Sequence, residues 1–130
     1  MNDVLVSIDL TSTALNLVEL QRLAGCAGSE GSIDRDQPGP GNMRFRRSRL
    51  RVSSTDRSVD IAQQIEAIAA KLHDANLDEA KNEIHISLDI ALFVSTATGT
   101  VEIPLTALDQ LPIRPVEIAV SFYPCADDET

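Results

Sequence analysis

From residue 84 to residue 94 every second side chain is aliphatic: Ile84, Ile86, Leu88, Ile90, Leu92 and Val94 are separated by residues such as His85, Ser87, Asp89 and Ala91. Successive side chains of a strand point to opposite faces, so this spacing puts the aliphatic set on one side of an extended segment. Val4, Val6, Ile8 and Leu10 repeat the pattern against Ser7 and Asp9. Val116, Ile118, Val120 and Phe122 repeat it again against Glu117, Ala119, Ser121 and Tyr123. A sheet with one apolar face needs a layer to cover it. Ile61, Ile65, Ile68 and Leu72 recur at helical steps, with Ala62 and Ala69 beside them, so an amphipathic helix beginning near Ser58 supplies that cover.

The remaining segments fit around this frame. Asn16 with Glu19 three residues on forms a capping box, and Leu17, Leu20 and Ala24 then share a helix face that Gly25 ends. Residues 26–42 are rich in glycine, hold Pro38 and Pro40, and show no apolar period, so a long loop is expected there. Residues 43–54 look extended, but Met43 and Phe45 occupy odd positions while Leu50 and Val52 occupy even ones. A bulge near Arg46 and Arg47 would reconcile them. A polar connection follows through Asp78, Glu79 and Lys81. After the 84–94 strand, a reversing turn is expected at 96–99, then a short antiparallel partner holding Val101 and Ile103. Thr106 is expected to cap a short helix with Leu108 and Leu111, which Pro112 and Pro115 close.

The expected order is β-α-β-α-β-β-α-β. It implies an α+β two-layer sandwich, a mostly antiparallel sheet with helices on one face. The chain of 130 residues is expected to make a single domain over 1–126, with a frayed acidic tail at 127–130.

Net charge is −9, with 20 acidic residues against 11 basic ones. The charge is uneven: Arg44, Arg46, Arg47, Arg49, Arg51 and Arg57 oppose only Asp56 between residues 43 and 57, a local +5 that leaves −14 on the rest. An acidic body with 3% aromatic residues argues against nucleic acid as a partner, because that affinity comes from phosphate neutralisation and base stacking. No apolar run is long enough to span a bilayer and the first residues lack a basic leader, so a cytoplasmic location without a membrane is expected. Cys26 and Cys125 have no ligand pair nearby and are expected to be plain thiols. His73 and His85 lie apart from any second ligand, so neither a metal nor a cofactor is expected.

The candidate binding residues are Arg44, Arg46, Arg47 and Arg49, extended by Asp34 and Arg35 from the preceding loop. Arginine on an edge strand blocks edge-to-edge pairing, and it also offers a planar fork to carboxylates and phosphates. No nucleophile elbow, phosphate-cradling loop or metalloprotease helix occurs, so no catalytic residue is assigned and the balance leans against an enzyme.

Several of these pieces together resemble a known bacterial family. Leu15-Asn16-Leu17, Glu19-Leu20 and Gly25 come first, then the loop Gly31-Ser32-Ile33-Asp34-Arg35-Asp36-Gln37-Pro38 leading to Val52-Ser53-Ser54. With the later Val101-Glu102-Ile103-Pro104-Leu105 and Phe122-Tyr123-Pro124, the chain resembles the family called domain of unknown function 4279. Ile33, Asp36 and Leu50 stand where that family's pattern has His, Gly and Trp. The resemblance implies no activity. The expected role is a non-enzymatic protein-interaction domain of the immunity or antitoxin sort. The alternatives are a ligand or enzymatic site at the 26–42 loop, and self-association through a strand.

Overall fold

In the computed structural model, which describes residues 3–35, 37–39, 41, 43–54, 56–57, 59–94 and 102–124, the aliphatic parity of every alternating segment points to the same side of one sheet. The elements are β1 (Asp3–Ser12), α1 (Leu17–Ala24), β2 (Ser48–Ser53), α2 (Ile61–Lys71), a 3₁₀ helix (Asp78–Glu83), β3 (His85–Val94), α3 (Leu105–Leu108) and β4 (Glu117–Pro124). The four strands lie in the order β2-β1-β3-β4. β1 is antiparallel to both β2 and β3, whereas β4 runs parallel to β3. The fold is therefore α+β with a mixed sheet that is antiparallel at two of its three junctions.

Register explains the core. Leu10 pairs with Leu50 and Ile86, and Ile8 pairs with Val52 and Leu88, so even-numbered residues stack across β2, β1 and β3. α1 lies over β2 and α2 over β1. Leu20, Ile65, Ile68 and Leu72 are fully buried against Val6, Ile8, Leu10, Leu50 and Leu88. Each such side chain is stabilised by about 2 kcal/mol for leaving water. The isoleucine helix thus organises one interior, as its spacing requires.

Capping fixes both helices. Asn16 and Glu19 form the reciprocal box on α1, and Gly25 ends it in the left-handed region at φ 73°. On α2 the box is Asp60 with Gln63, so the helix starts three residues beyond Ser58, which lies outside the described residues. Gln64 on α2 is fully buried, and its amide replaces a missing strand. Its Oε1 accepts from the Val6 N–H at 2.9 Å, and its Nε2 donates to the Val4 and Val59 carbonyls at 2.8 and 3.1 Å. β1 pairs with β2 only from Ser7 onward, so without Gln64 those β1 groups would be buried unsatisfied.

The 26–42 loop is not structureless where it is described. Ile33 and Arg49 exchange both backbone hydrogen bonds at 2.8 Å, and Pro38 bridges Arg44. Ser32 Oγ accepts from the Arg51 N–H at 3.0 Å, and Ser29 Oγ accepts from the Ser53 N–H at 2.9 Å. The outward N–H groups of Arg49, Arg51 and Ser53 are therefore all satisfied by this loop. It seals the β2 edge of the sheet. Gly28 permits the approach: its φ is +87°, and a Cβ there would collide with the Leu50 side chain.

Three local expectations change. The parity break in 43–54 is a bend at Arg46 and Arg47 rather than a bulge, with β2 beginning only at Ser48. Residues 102–104, including Ile103, form no strand, while the 96–99 turn and Val101 lie outside the described residues. Thr106 sits inside α3, whose N-cap is Pro104 with no side-chain cap. Cys125 and the 127–130 tail also lie outside the described residues. No helix among the described residues is long and apolar enough to cross a membrane.

Candidate interaction surface

The arginines and loop residues singled out from the sequence serve different neighbours. Asp34 Oδ1 accepts from the first helical N–H of α1, that of Leu17, at 2.9 Å, and from the Ser48 hydroxyl at 3.3 Å. A carboxylate at a helix N-terminus satisfies an orphan donor and complements the helix dipole. Arg35 donates its backbone N–H to Ser48 Oγ and its guanidinium to the Thr13 carbonyl, both at 3.0 Å. Arg49 turns its guanidinium onto the Gly31 carbonyl, through Nη2 at 2.8 Å. Arg44, Arg46 and Arg47 are exposed, the last bordering an open groove of about 440 Å³ with Thr11, Thr13 and His85. Asp34, Arg35 and Arg49 thus hold the loop, β2 and α1 together. They do not converge with the outer arginines on one pocket.

Arg51, left out of the candidate set, occupies the most charged position on the helix-free face. Its outward N–H goes to Ser32, so Asp9 and Arg51 form a non-hydrogen-bonded pair, the kind in which side chains stand closest. The guanidinium grips Asp9 with two bonds of 2.8 Å and lies 3.6 Å from Asp89 Oδ2. The carboxylates come from two triplets of one pattern, serine, aliphatic, aspartate: Ser7-Ile8-Asp9 and Ser87-Leu88-Asp89. Antiparallel register crosses the triplets, pairing Ser7 with Asp89 and Asp9 with Ser87. The repetition was visible in the sequence, but only the β1–β3 register shows that it gathers two acids.

The environments of the acids differ. Burial raises Asp9, but hydrogen bonds with Arg51 and Asp89 and the charge of Arg51 outweigh it and hold this carboxyl below its ordinary value. Asp89 is pushed up to about 6, first by burial, then by the hydrogen bond with Asp9 and that group's negative charge. Arg51 is raised above its ordinary value, chiefly by the hydrogen bond with Asp9. One cation thus serves an ionised acid and a reluctant one. Elsewhere on this face Phe93 stacks on Tyr123 with ring centroids 5.3 Å apart, and the Arg57 guanidinium lies 4.6 Å from the Phe93 centroid. His85 meets Glu117 at 3.3 Å, and His73 meets Asp74 at 3.3 Å, both at exposed positions.

Val18, Met43 and Leu105 are exposed singly, whereas on β4 exposed apolar side chains are neighbours. Ile118, Val120 and Phe122 register with Leu88, Ile90 and Leu92, so they face the helix side of the sheet. Yet α1 and α2 sit toward β2 and β1, and these three side chains remain 42%, 39% and 55% exposed. Val116, just before the strand, is 73% exposed. No described strand pairs with the outer side of β4. A contiguous aliphatic and aromatic stripe beside an open edge is the usual form of a docking surface. Sequence parity identified these residues as inward-facing, and they do point inward, but the helix layer does not extend over them. The sequence strip of arginine, by contrast, borders the edge that the loop has closed.

No family model, curated protein or solved structure matches the chain.

Proposed function

We propose that this chain is a non-enzymatic protein-interaction domain that docks its partner on β4. The observation that carries this reading is the exposure of Ile118, Val120 and Phe122 on a sheet face where the aliphatic side chains of β1, β2 and β3 are buried or half-buried. Burying such a stripe is favourable at about 25 cal/mol per Å², and a strand edge that no other strand among the described residues pairs with adds main-chain hydrogen bonds. Membership in the family called domain of unknown function 4279 belongs to the same proposal, supported by the loop wording 31–38 and by its position before β2.

The arginine strip is the competing docking surface, and two variants separate the two. Affinity purification from native extract with an Ile118→Asp, Phe122→Asp chain is expected to lose the co-purifying protein, while an Arg44→Ala, Arg46→Ala, Arg47→Ala chain retains it. Loss with the arginine variant alone transfers the site to the bend before β2. Circular dichroism of both variants confirms that each remains folded.

A further inference from the structure

We infer that the partner on β4 is a second copy of this chain, joined antiparallel about a two-fold axis through Val120. The inference rests on the reading of β4 as the docking surface and adds the occupant and its register. In an antiparallel pair, directly opposed residues share a face, so β4 can meet itself only in registers that pair residues of equal parity. Centring the axis on Val120 opposes Ile118 to Phe122, Val120 to Val120 and Phe122 to Ile118 on the apolar face. On the other face it opposes Glu117 to Tyr123 and Ala119 to Ser121. Aromatic and β-branched residues face one another on the first face, the cross-strand combinations that stabilise a sheet.

Charge supports this occupant. Among residues 117–124 only Glu117 is charged. In this register it opposes a tyrosine, not the same carboxylate of the other copy. Open edges are normally protected by lysine, proline or an inward charge, and β4 has none of these before Pro124 at its end. The opposite edge, β2, is closed by Ser29, Ser32 and Ile33. Growth therefore stops at two copies rather than continuing into a filament, because an isologous contact uses the same patch on both. The pair makes one eight-stranded sheet from two four-stranded ones. Both helix layers fall on the same side.

The residue on the axis opposes itself, which provides the test. Sedimentation equilibrium of the full chain is expected to show a monomer–dimer equilibrium that tightens as salt screens the acidic bodies. Val120→Glu alone and Val120→Lys alone each place like charges face to face and are expected to weaken dimerisation by at least about tenfold. Their equimolar mixture is expected to recover the dimer as a mixed species. Recovery supports the register; a mixture that stays monomeric, or single variants that dimerise as well as the parent, overturns it. A photo-crosslinking residue at Ser121 in native extract separates this inference from the wider reading. A product of twice the chain mass supports self-pairing. Crosslinking to a foreign chain alone overturns self-pairing and keeps β4 as a docking site, and the absence of any product overturns both.

Discussion

Asp89 is the side chain whose environment most opposes its ordinary state. Its carboxyl ionises at about 6 in the fold, against 3.8 ordinarily. Between those values the unfolded chain has released a proton that the folded chain keeps, so the Asp89 contribution to stability falls as pH rises from about 4 to about 6. Asp9 has the opposite sign: its lowered value contributes stability above the ordinary aspartate range, which is lost as pH falls through the folded value. Asp89→Asn is therefore expected to be more stable than the parent by about 1 kcal/mol at pH 7.5, a figure reduced because a third of the side chain meets water. The two chains should converge near pH 3.5, as urea titrations across that range would show. A parent chain already less stable than the variant at pH 3.5 by the same margin would exclude the linkage. Arg51→Met should cost about 3 kcal/mol at pH 7, since it leaves two neighbouring carboxylates without their cation. Gln64→Leu should cost about 2–3 kcal/mol despite its apolar replacement, because the Val6 N–H and Val4 carbonyl lose their partner. None of these roles follows from residue type alone. A glutamine on a helix face looks solvated until the register shows β1 lacking a neighbour beside it.

At the scale of elements, the strands and helices were legible because each must bury one face, and burial imposes a period. Ile65, Ile68 and Leu72 on α2, and the even residues of β1 and β3, show this directly. The capping box at Asn16 was legible for the same reason that it works: two orphan donors are satisfied by residues three apart. The loop before β2 was not. Its order comes from serine hydroxyls and single backbone groups matched to an edge at fixed spacing, which leaves no apolar pattern. Gly28→Ala tests that element, because it imposes a left-handed backbone on alanine and a clash with Leu50. Thermal unfolding should show a loss of about 1–3 kcal/mol. An unchanged midpoint would mean that the loop does not lie against β2. Helix coverage was also hidden from the sequence. The alternation of β4 equals that of β3, and only tertiary placement shows that one is covered and the other open.

The whole molecule is a sheet with two unequal edges and one covered face. Its net charge of −9 sits on the same body as the arginine-rich bend, and the loop that closes the β2 edge takes its bonds from the strand that carries Arg49 and Arg51. The interior gathered under α2 ends before β4, leaving the surface on which the proposed function depends. Amide hydrogen exchange by NMR on the dilute chain tests this asymmetry most directly. The N–H groups of Arg49, Arg51 and Ser53 are expected to be protected like those of β1, while the outward N–H groups of Ala119 and Ser121 on β4 exchange rapidly and become protected as concentration rises. Uniform protection along β4 at every concentration, together with rapid exchange at Arg49, Arg51 and Ser53, would contradict it.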